Sequence, residues 1–264
     1  MFKQGISEET SGDLAVLGKS SFLEKFYLAG GTAVALRLGH RLSFDLDFFT
    51  ISPFDQTSLS KSLRKLGKFR REQIAEDTLL GVFGKTKISF FRYDEPLIGK
   101  TERFLDVRIV SLADLSAMKI DAISRRGTKR DFIDLYFIGK RIGLDKAFLN
   151  YKKKYGRKDI NIFHAIKAMN YFVDAEDEDM PEMLVDCGWE EVKGFFNKEV
   201  PGILKRWVKK PVDEVITKAG KESFYVKLAE DTQGAWAGDD WDKTRKKRKK
   251  IELAASNRRK LELA

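Results

Sequence analysis

The stretch Leu28 to Phe49, LAGGTAVALRLGHRLSFDLDFF, decides how this sequence is read. It begins inside a short apolar run, Phe26 to Ala29, which has the length of a buried strand. Gly30-Gly31 breaks that run. Thr32 to Leu38 follows with strong helix formers and stops at Gly39, as helices commonly do. Phe44 to Thr50 then alternates apolar and acidic residues, which predicts a half-buried strand with Asp45 and Asp47 side by side on one face.

A strand that ends in two glycines and opens into a helix gathers free backbone N–H groups and a positive helix end at one point. Glycine suits that point because the backbone must turn sharply and approach an anion with no Cβ in the way. Thr32 offers a hydroxyl to the same phosphate, and Arg41 and Ser43 lie on the approach to the acidic strand. Two adjacent carboxylates repel unless a cation sits between them. Hard oxygen donors without His or Cys ligands favour Mg²⁺ or Mn²⁺. Taken singly, a glycine pair marks a turn and an Asp-x-Asp marks a solvated strand edge. In this order they describe a phosphate cradle beside a divalent-cation site, which is what a nucleoside triphosphate needs.

Working outward, residues 7 to 25 read as helix, with Leu14, Leu17, Phe22 and Phe26 near helical spacing. Residues 56 to 66 form a basic amphipathic helix, and β-like runs follow at Leu79 to Phe83, Lys87 to Tyr93 and Glu102 to Val110. Ser111, with Asp114 three residues on, starts a helix in a capping-box pattern and carries the apolar stripe Leu112, Leu115, Met118 and Ala122. Gly127 breaks it, Asp131 to Arg141 is the next helix, and residues 145 to 205 read as helical throughout. The fold class is therefore α+β: an α/β part over residues 1–110, a helical part over 111–205, and an extension over 206–264.

The chain of 264 residues has a net charge of +10, but that charge is local. Residues 243–264 hold ten Lys or Arg against two Glu, so the preceding 242 residues are only two charges positive. The basic end reads as a loosely ordered tail. A single cysteine, Cys187, rules out an intramolecular disulfide. No apolar run is long enough for a membrane span, and no signal peptide is visible, so the expectation is a soluble cytoplasmic protein.

The motifs resemble those of the AbiEii/AbiGii-type nucleotidyltransferase toxins, within the DNA polymerase beta-like superfamily. The resemblance rests on Gly30-Gly31, Arg41 and Ser43-Phe44-Asp45-Leu46-Asp47, then Lys119 and Arg130-Asp131-Phe132-Ile133-Asp134-Leu135. It continues through Tyr171 to Glu176, Pro181 to Leu184, Trp189 and Phe195-Phe196, so it spans roughly residues 10 to 205. It implies a polymerase beta-like domain with a mixed sheet, followed by helices that complete the active site.

By resemblance, Asp45 and Asp47 hold the divalent metals, and Gly30, Gly31 and Thr32 contact the triphosphate. Lys119 neutralises the nucleotide's phosphates, and Asp131 or Asp134 completes the site. Read without the family, Asp131 and Asp134 are carboxylates favoured in a helix's first turn, with Arg130 pairing to Asp134, and Lys119 is a solvated flank. One departure stands out. The strand expected to bring a third carboxylate offers Ser89 instead, so a later residue such as Asp131 supplies the missing oxygen, or the second metal binds weakly.

The implied reaction is Mg²⁺-dependent transfer from an NTP to an acceptor hydroxyl, such as the 3′ end of a tRNA. The implied setting is the toxin half of a toxin–antitoxin pair, with a small antitoxin encoded nearby. Two alternatives stay open: a small-molecule nucleotidyltransferase, and a non-catalytic nucleic-acid-binding protein that uses its basic tail. His40 reads as a hydrogen-bonding scaffold residue, His164 as structural and Cys187 as an inert thiol. Trp189, Phe195 and Phe196 read as helix-packing aromatics.

Overall fold

The computed structural model of the chain describes residues 1–156 and 160–207. Its centre is the antiparallel pair β1 (Tyr27–Ala29) and β2 (Leu46–Thr50), with Ala29 opposite Asp47. Around it grows a sheet of seven strands among the described residues, adding β3 (Phe69–Ala75), β4 (Thr78–Phe83), β5 (Thr86–Arg92), β6 (Glu102–Phe104) and β7 (Val107–Ile109). The spatial order is β3-β4-β5-β2-β1-β7-β6. β2 runs parallel to β5 and β1 parallel to β7, so the sheet is mixed.

Alternation along the strands gives the sheet two unlike faces. Leu46, Phe48, Leu79, Phe83, Ile88 and Phe90 are buried on one side, where the Phe48 and Phe90 rings stack with centroids 5.0 Å apart. Leu14 and Leu17 of α1 (Glu8–Gly18) and Leu59 and Leu63 of α3 (Gln56–Leu66) join that core. The residues between them in sequence, Asp47, Phe49, Ser89 and Phe91, are only half-buried. That second face carries the acidic pair's inner member.

The remaining helices are α2 (Gly30–Leu38), α4 (Leu112–Arg125), α5 (Lys129–Ile142), α6 (Leu144–Tyr155), α7 (Ile162–Ala168), α8 (Val173–Glu176) and α9 (Trp189–Trp207). α2 packs on both α4 and α5, which brings the glycine pair against the helical half. Phe132 of α5 anchors the α9 contact, with its ring 5.5 Å from Phe196 and 6.0 Å from Trp189. Phe195 meets Tyr136 at 5.2 Å, so these aromatics pack helices together as expected. His164 is structural in the same sense, its Nε2 lying 2.8 Å from the Ser124 carbonyl oxygen, and Cys187 is buried.

Several boundaries differ from the sequence reading, each for a local reason. The helix expected over 7–25 ends at Gly18, and residues 21–25 form a separate 3₁₀ turn. β1 starts at Tyr27, and α2 already begins at Gly30. β2 starts at Leu46, so Asp45 precedes the strand. Glu102 to Val110 is a hairpin folded at Leu105 and Asp106, both with positive φ. β3 escaped notice because six of its seven residues are exposed and carry no alternation. The stretch 145–205 is not continuous helix: α6, α7 and α8 are short, and residues 177–188 are irregular up to α9. The basic tail lies outside the described residues.

The predicted cap of α4 forms on one side only. Ser111 accepts from the Asp114 backbone N–H at 3.1 Å, but the Asp114 carboxylate does not reach back to the Ser111 backbone. It accepts from the Ile98 and Gly99 N–H groups at 3.0 Å each and pairs with Lys154 at 2.8 Å, wholly buried.

Candidate active site

Gly30 adopts φ +69°, a left-handed conformation that favours glycine, and a Cβ there would lie 2.6 Å from Asp47 Oδ2. The turn and the acid are therefore in contact, and the glycine is required twice, by its dihedral and by the carboxylate beside it. At Gly31 a Cβ would collide with the Arg41 guanidinium, so the second glycine makes room for that cation beneath the start of α2. Thr32 is buried, its hydroxyl 2.7 Å from that of Ser43 and donating to the Asp45 carbonyl oxygen. Both hydroxyls thus tie α2 to the strand that carries the acids.

Asp45 is exposed and Asp47 half-buried. Among the described residues neither carboxylate is held in an ion pair. Burial pushes the Asp47 carboxyl above the usual carboxylate range; a hydrogen bond from Ser89 opposes this, the charge of Asp45 adds to it, and Lys119 and Arg126 pull it back without cancelling it. Ser89 is the direct register partner of Asp47 on β5, the place where the family resemblance leads one to expect a third carboxylate.

The donor set fits a hard divalent cation: two carboxylates that repel, one neutral hydroxyl, and an open side on which phosphate and water oxygens complete the shell. No group of three or more His, Cys, Asp or Glu poised for a metal occurs among the described residues.

Asp131 and Asp134 sit in the opposite situation. Asp134 is fully buried and accepts from Arg41 Nε at 2.7 Å and Nη2 at 2.9 Å, a bidentate pair. His40 Nε2 lies 2.8 Å from the same carboxylate, and Lys119 Nζ 2.6 Å. Asp131 takes Lys119 at 2.8 Å, Arg126 Nε at 2.9 Å and the Thr128 hydroxyl at 2.7 Å. Burial alone would raise both carboxyls. Instead Lys119 and Arg126 hold Asp131 down at about 2, and Arg41 and Lys119 hold Asp134 well below its usual value. Burial also disfavours charge on Lys119, yet Asp131 and Asp134 outweigh it and raise its pKa.

The expected Arg130–Asp134 pair does not form; Arg41, from the far end of the motif, takes that acid. Lys119 is buried, not a solvated flank. Asp131 has its oxygens engaged by Lys119, Arg126 and the Thr128 hydroxyl. His40, fully buried, is the scaffold residue expected, although its Nδ1 finds no partner among the described residues.

Two contributors were not picked out from sequence. Arg126 reaches Asp131 while its side chain is 64% exposed, which sets a solvent-facing cation next to the acids. Lys129 donates to the carbonyl oxygens of Glu176 and Glu178, and its backbone N–H donates to Glu178 Oε2 at 2.9 Å. This staples the irregular acidic segment to the start of α5. Backbone bonds from Leu42 to Glu182 and from Leu184 to His40 fasten its other end. The result is a cavity of about 430 Å³ between Arg41–Asp45 and residues 177–182, lined by Asp45, Asp177, Glu178, Asp179 and Glu182 with Arg130. The only signal for it in the sequence is the density of acids over 174–182.

The chain is similar to several known proteins. A solved structure of MenT4, a nucleotidyltransferase toxin from Mycobacterium tuberculosis H37Rv, superposes with a TM-score of 0.53 at 17% identity, covering 83% of this chain and 90% of that one. A putative nucleotidyltransferase from H. pylori gives 0.46 at 17% identity over 76% of this chain and 96% of its own. An uncharacterized protein of Aquifex aeolicus (strain VF5) is 40% identical over 186 residues, which is 68% of this chain and 88% of the relative. The family profile described as nucleotidyl transferase AbiEii toxin, type IV TA system, matches residues 13–94 and 82–208. The chain belongs to the AbiEii nucleotidyltransferase toxin family.

Proposed function

We propose that this protein transfers a nucleotidyl group from a nucleoside triphosphate to an acceptor hydroxyl, with Mg²⁺ or Mn²⁺ held by Asp45 and Asp47. The observation that carries the reading is the contact between the Gly30 turn and Asp47, beside two acids that make no direct ion pair among the described residues. The β- and γ-phosphates would lie on the backbone N–H groups at the start of α2, where Gly30 and Gly31 permit close approach. A bound divalent cation supplies charge neutralisation at the α-phosphate and activation of the attacking oxygen.

The chain's own groups then position the reactants. The bond from the acceptor oxygen to the α-phosphorus forms, the bond to the bridging oxygen of pyrophosphate breaks, and the hydroxyl proton leaves to solvent. Arg126, solvent-facing beside Asp131, is placed to meet phosphate charge. Lys119 and Arg41 act from beneath by fixing Asp131 and Asp134, which lock α5 against α2. Such preorganised positioning and charge complementarity supply most of the rate in phosphoryl chemistry.

The acceptor we favour is an RNA end such as the 3′ terminus of tRNA, with a small antitoxin protein as regulatory partner; family membership supports both. A specific observation favours a second reading. The acid-lined cavity beside Asp45 repels a polyanion and suits a small cationic acceptor carrying hydroxyls. Incubation with each labelled NTP, once with total tRNA and once with a panel of hydroxylated cations, separates them. Label appearing in RNA supports the first reading, label in a small molecule supports the second, and no transfer to either with metal present overturns both. Among the described residues no helix is long and apolar enough to cross a membrane.

A further inference from the structure

The half-buried face of the sheet is organised in cross-strand rows. Asp47 lies opposite Ser89, and Ser89 opposite Leu80. One row along, Phe49 lies opposite Phe91, and Phe91 opposite Thr78, with the two phenyl centroids 5.3 Å apart. On the other side of the Asp47 row, Lys87 lies opposite Val82, and Val82 opposite Arg70. Lys87 and Arg70 are exposed; Phe49 and Phe91 are half-buried. Partners in register share a face, so the acid, the two aromatics and the two cations point the same way.

We infer that this face of β2, β5, β4 and β3 is the acceptor-side surface and receives the unpaired end of a single-stranded polynucleotide. Its terminal base would stack on Phe91 beside Phe49, and its phosphates would run past Lys87 and Arg70. The inference rests on the transferase reading above and adds the direction of approach. In-line displacement puts the attacking oxygen opposite the departing pyrophosphate. Pyrophosphate belongs to the glycine turn at the end of β1. β2 comes next in the sheet and β5 beyond it, so the attack arrives over β5. There the third acid is replaced by neutral Ser89, which removes a charge that would repel an approaching phosphodiester.

The row of aromatics lies one pleat repeat, roughly 7 Å, from the Asp47–Ser89 row, which leaves room for a sugar between reacting hydroxyl and stacked base. Aromatic platforms flanked by Lys and Arg are a general means of holding single-stranded nucleic acid without reading its sequence.

The test uses the full-length protein and an eight-nucleotide single-stranded RNA. Phe91→Trp places a fluorescent reporter at the stacking position, and RNA is expected to quench its emission beyond any change in the parent protein. A blunt duplex of the same sequence is expected to quench far less. Phe91→Leu should weaken acceptor-dependent turnover about tenfold through the acceptor KM, with NTP binding by calorimetry unchanged, and Phe91→Trp should restore it. Lys87→Gln with Arg70→Gln should lower the salt dependence of acceptor KM by roughly 1.4 in log–log slope, two contacts at about 0.7 each.

If NTP binds but the emission of the Phe91→Trp variant is indifferent to RNA and Phe91→Leu behaves as wild type, the surface assignment is wrong and the transferase reading survives. If polyamines or aminoglycosides quench in place of RNA, the assignment is also wrong, and the cavity reading gains. If no triphosphate binds to any form, both readings fall together.

Discussion

The two aspartate pairs of the motifs, Asp45/Asp47 and Asp131/Asp134, have opposite physical fates. Asp131 and Asp134 are buried, matched to Lys119, Arg126, Arg41 and His40, and held below the usual carboxylate range. Asp45 and Asp47 lie at the start of the central strand β2, in no direct ion pair among the described residues, and burial holds Asp47 above that range although Lys119 and Arg126 oppose it. The first pair is complete within the protein and joins its halves. The second makes no direct ion pair among the described residues, and burial disfavours the charge on Asp47. Motif spacing alone assigns both pairs to chemistry; the charge balance around each separates a strut from a socket.

The contrast breaks most sharply on activity. Asp45→Asn with Asp47→Asn is expected to abolish nucleotidyl transfer while circular dichroism stays that of the parent; full activity in the folded double variant would end the transferase reading. Next in size is stability at the other pair. Asp134→Ala leaves Arg41 buried without its counter-charge and Lys119 with Asp131 alone, which should cost about 3–5 kcal/mol in urea unfolding. A loss below about 1 kcal/mol would mean that the network is not a strut.

The pH dependence sharpens the same difference. The Asp131 carboxyl is depressed from 3.8 to about 2, so its contribution is fully present above the unfolded value and disappears as pH falls through the folded one. That amounts to about 2 kcal/mol lost between roughly pH 5 and pH 2. Asp131→Asn should flatten the acid limb of the Tm–pH curve, checked by calorimetric scans. Asp47 works with the opposite sign. Its folded pKa is raised, so the native state holds the proton longer, and stability falls as pH rises above the unfolded value of 3.8. Metal-free Asp47→Asn should therefore melt slightly higher than the parent at neutral pH, and the gain should vanish near pH 3, about one unit below that unfolded value. The least drastic change is Ser89→Asp, which adds a third carboxylate opposite Asp47 and should tighten Mn²⁺ binding by calorimetry.

Much of the site was legible because it is local. The glycine pair, the helix after it and the Asp-x-Asp all lie between Gly30 and Asp47, and physical rules for strands, glycines and like charges apply at that range. Arg41 was legible as a cation but not in its role, since its partner Asp134 lies 93 residues away and only the fold of α5 against α2 brings them together. Sequence distance also hid the Asp114–Lys154 pair, and the Lys129 staple was hidden because hydrogen bonds to backbone carbonyls leave no trace in residue type. Asp114 followed the capping spacing while its carboxylate served a loop and a lysine, so the pattern marked the helix start but not the acid's task. β3 was invisible because an exposed edge strand needs no apolar alternation.

The most direct measurement is Mn²⁺ titration, followed by electron paramagnetic resonance in the presence of a non-hydrolysable NTP analogue, of the wild type, Asp45→Asn/Asp47→Asn and Asp131→Asn. Bound Mn²⁺ is expected in the wild type and in folded Asp131→Asn, and none above background when positions 45 and 47 are neutralised. Retention of the bound-metal signal in the latter, or its selective loss in Asp131→Asn, would contradict the assignment of socket and strut.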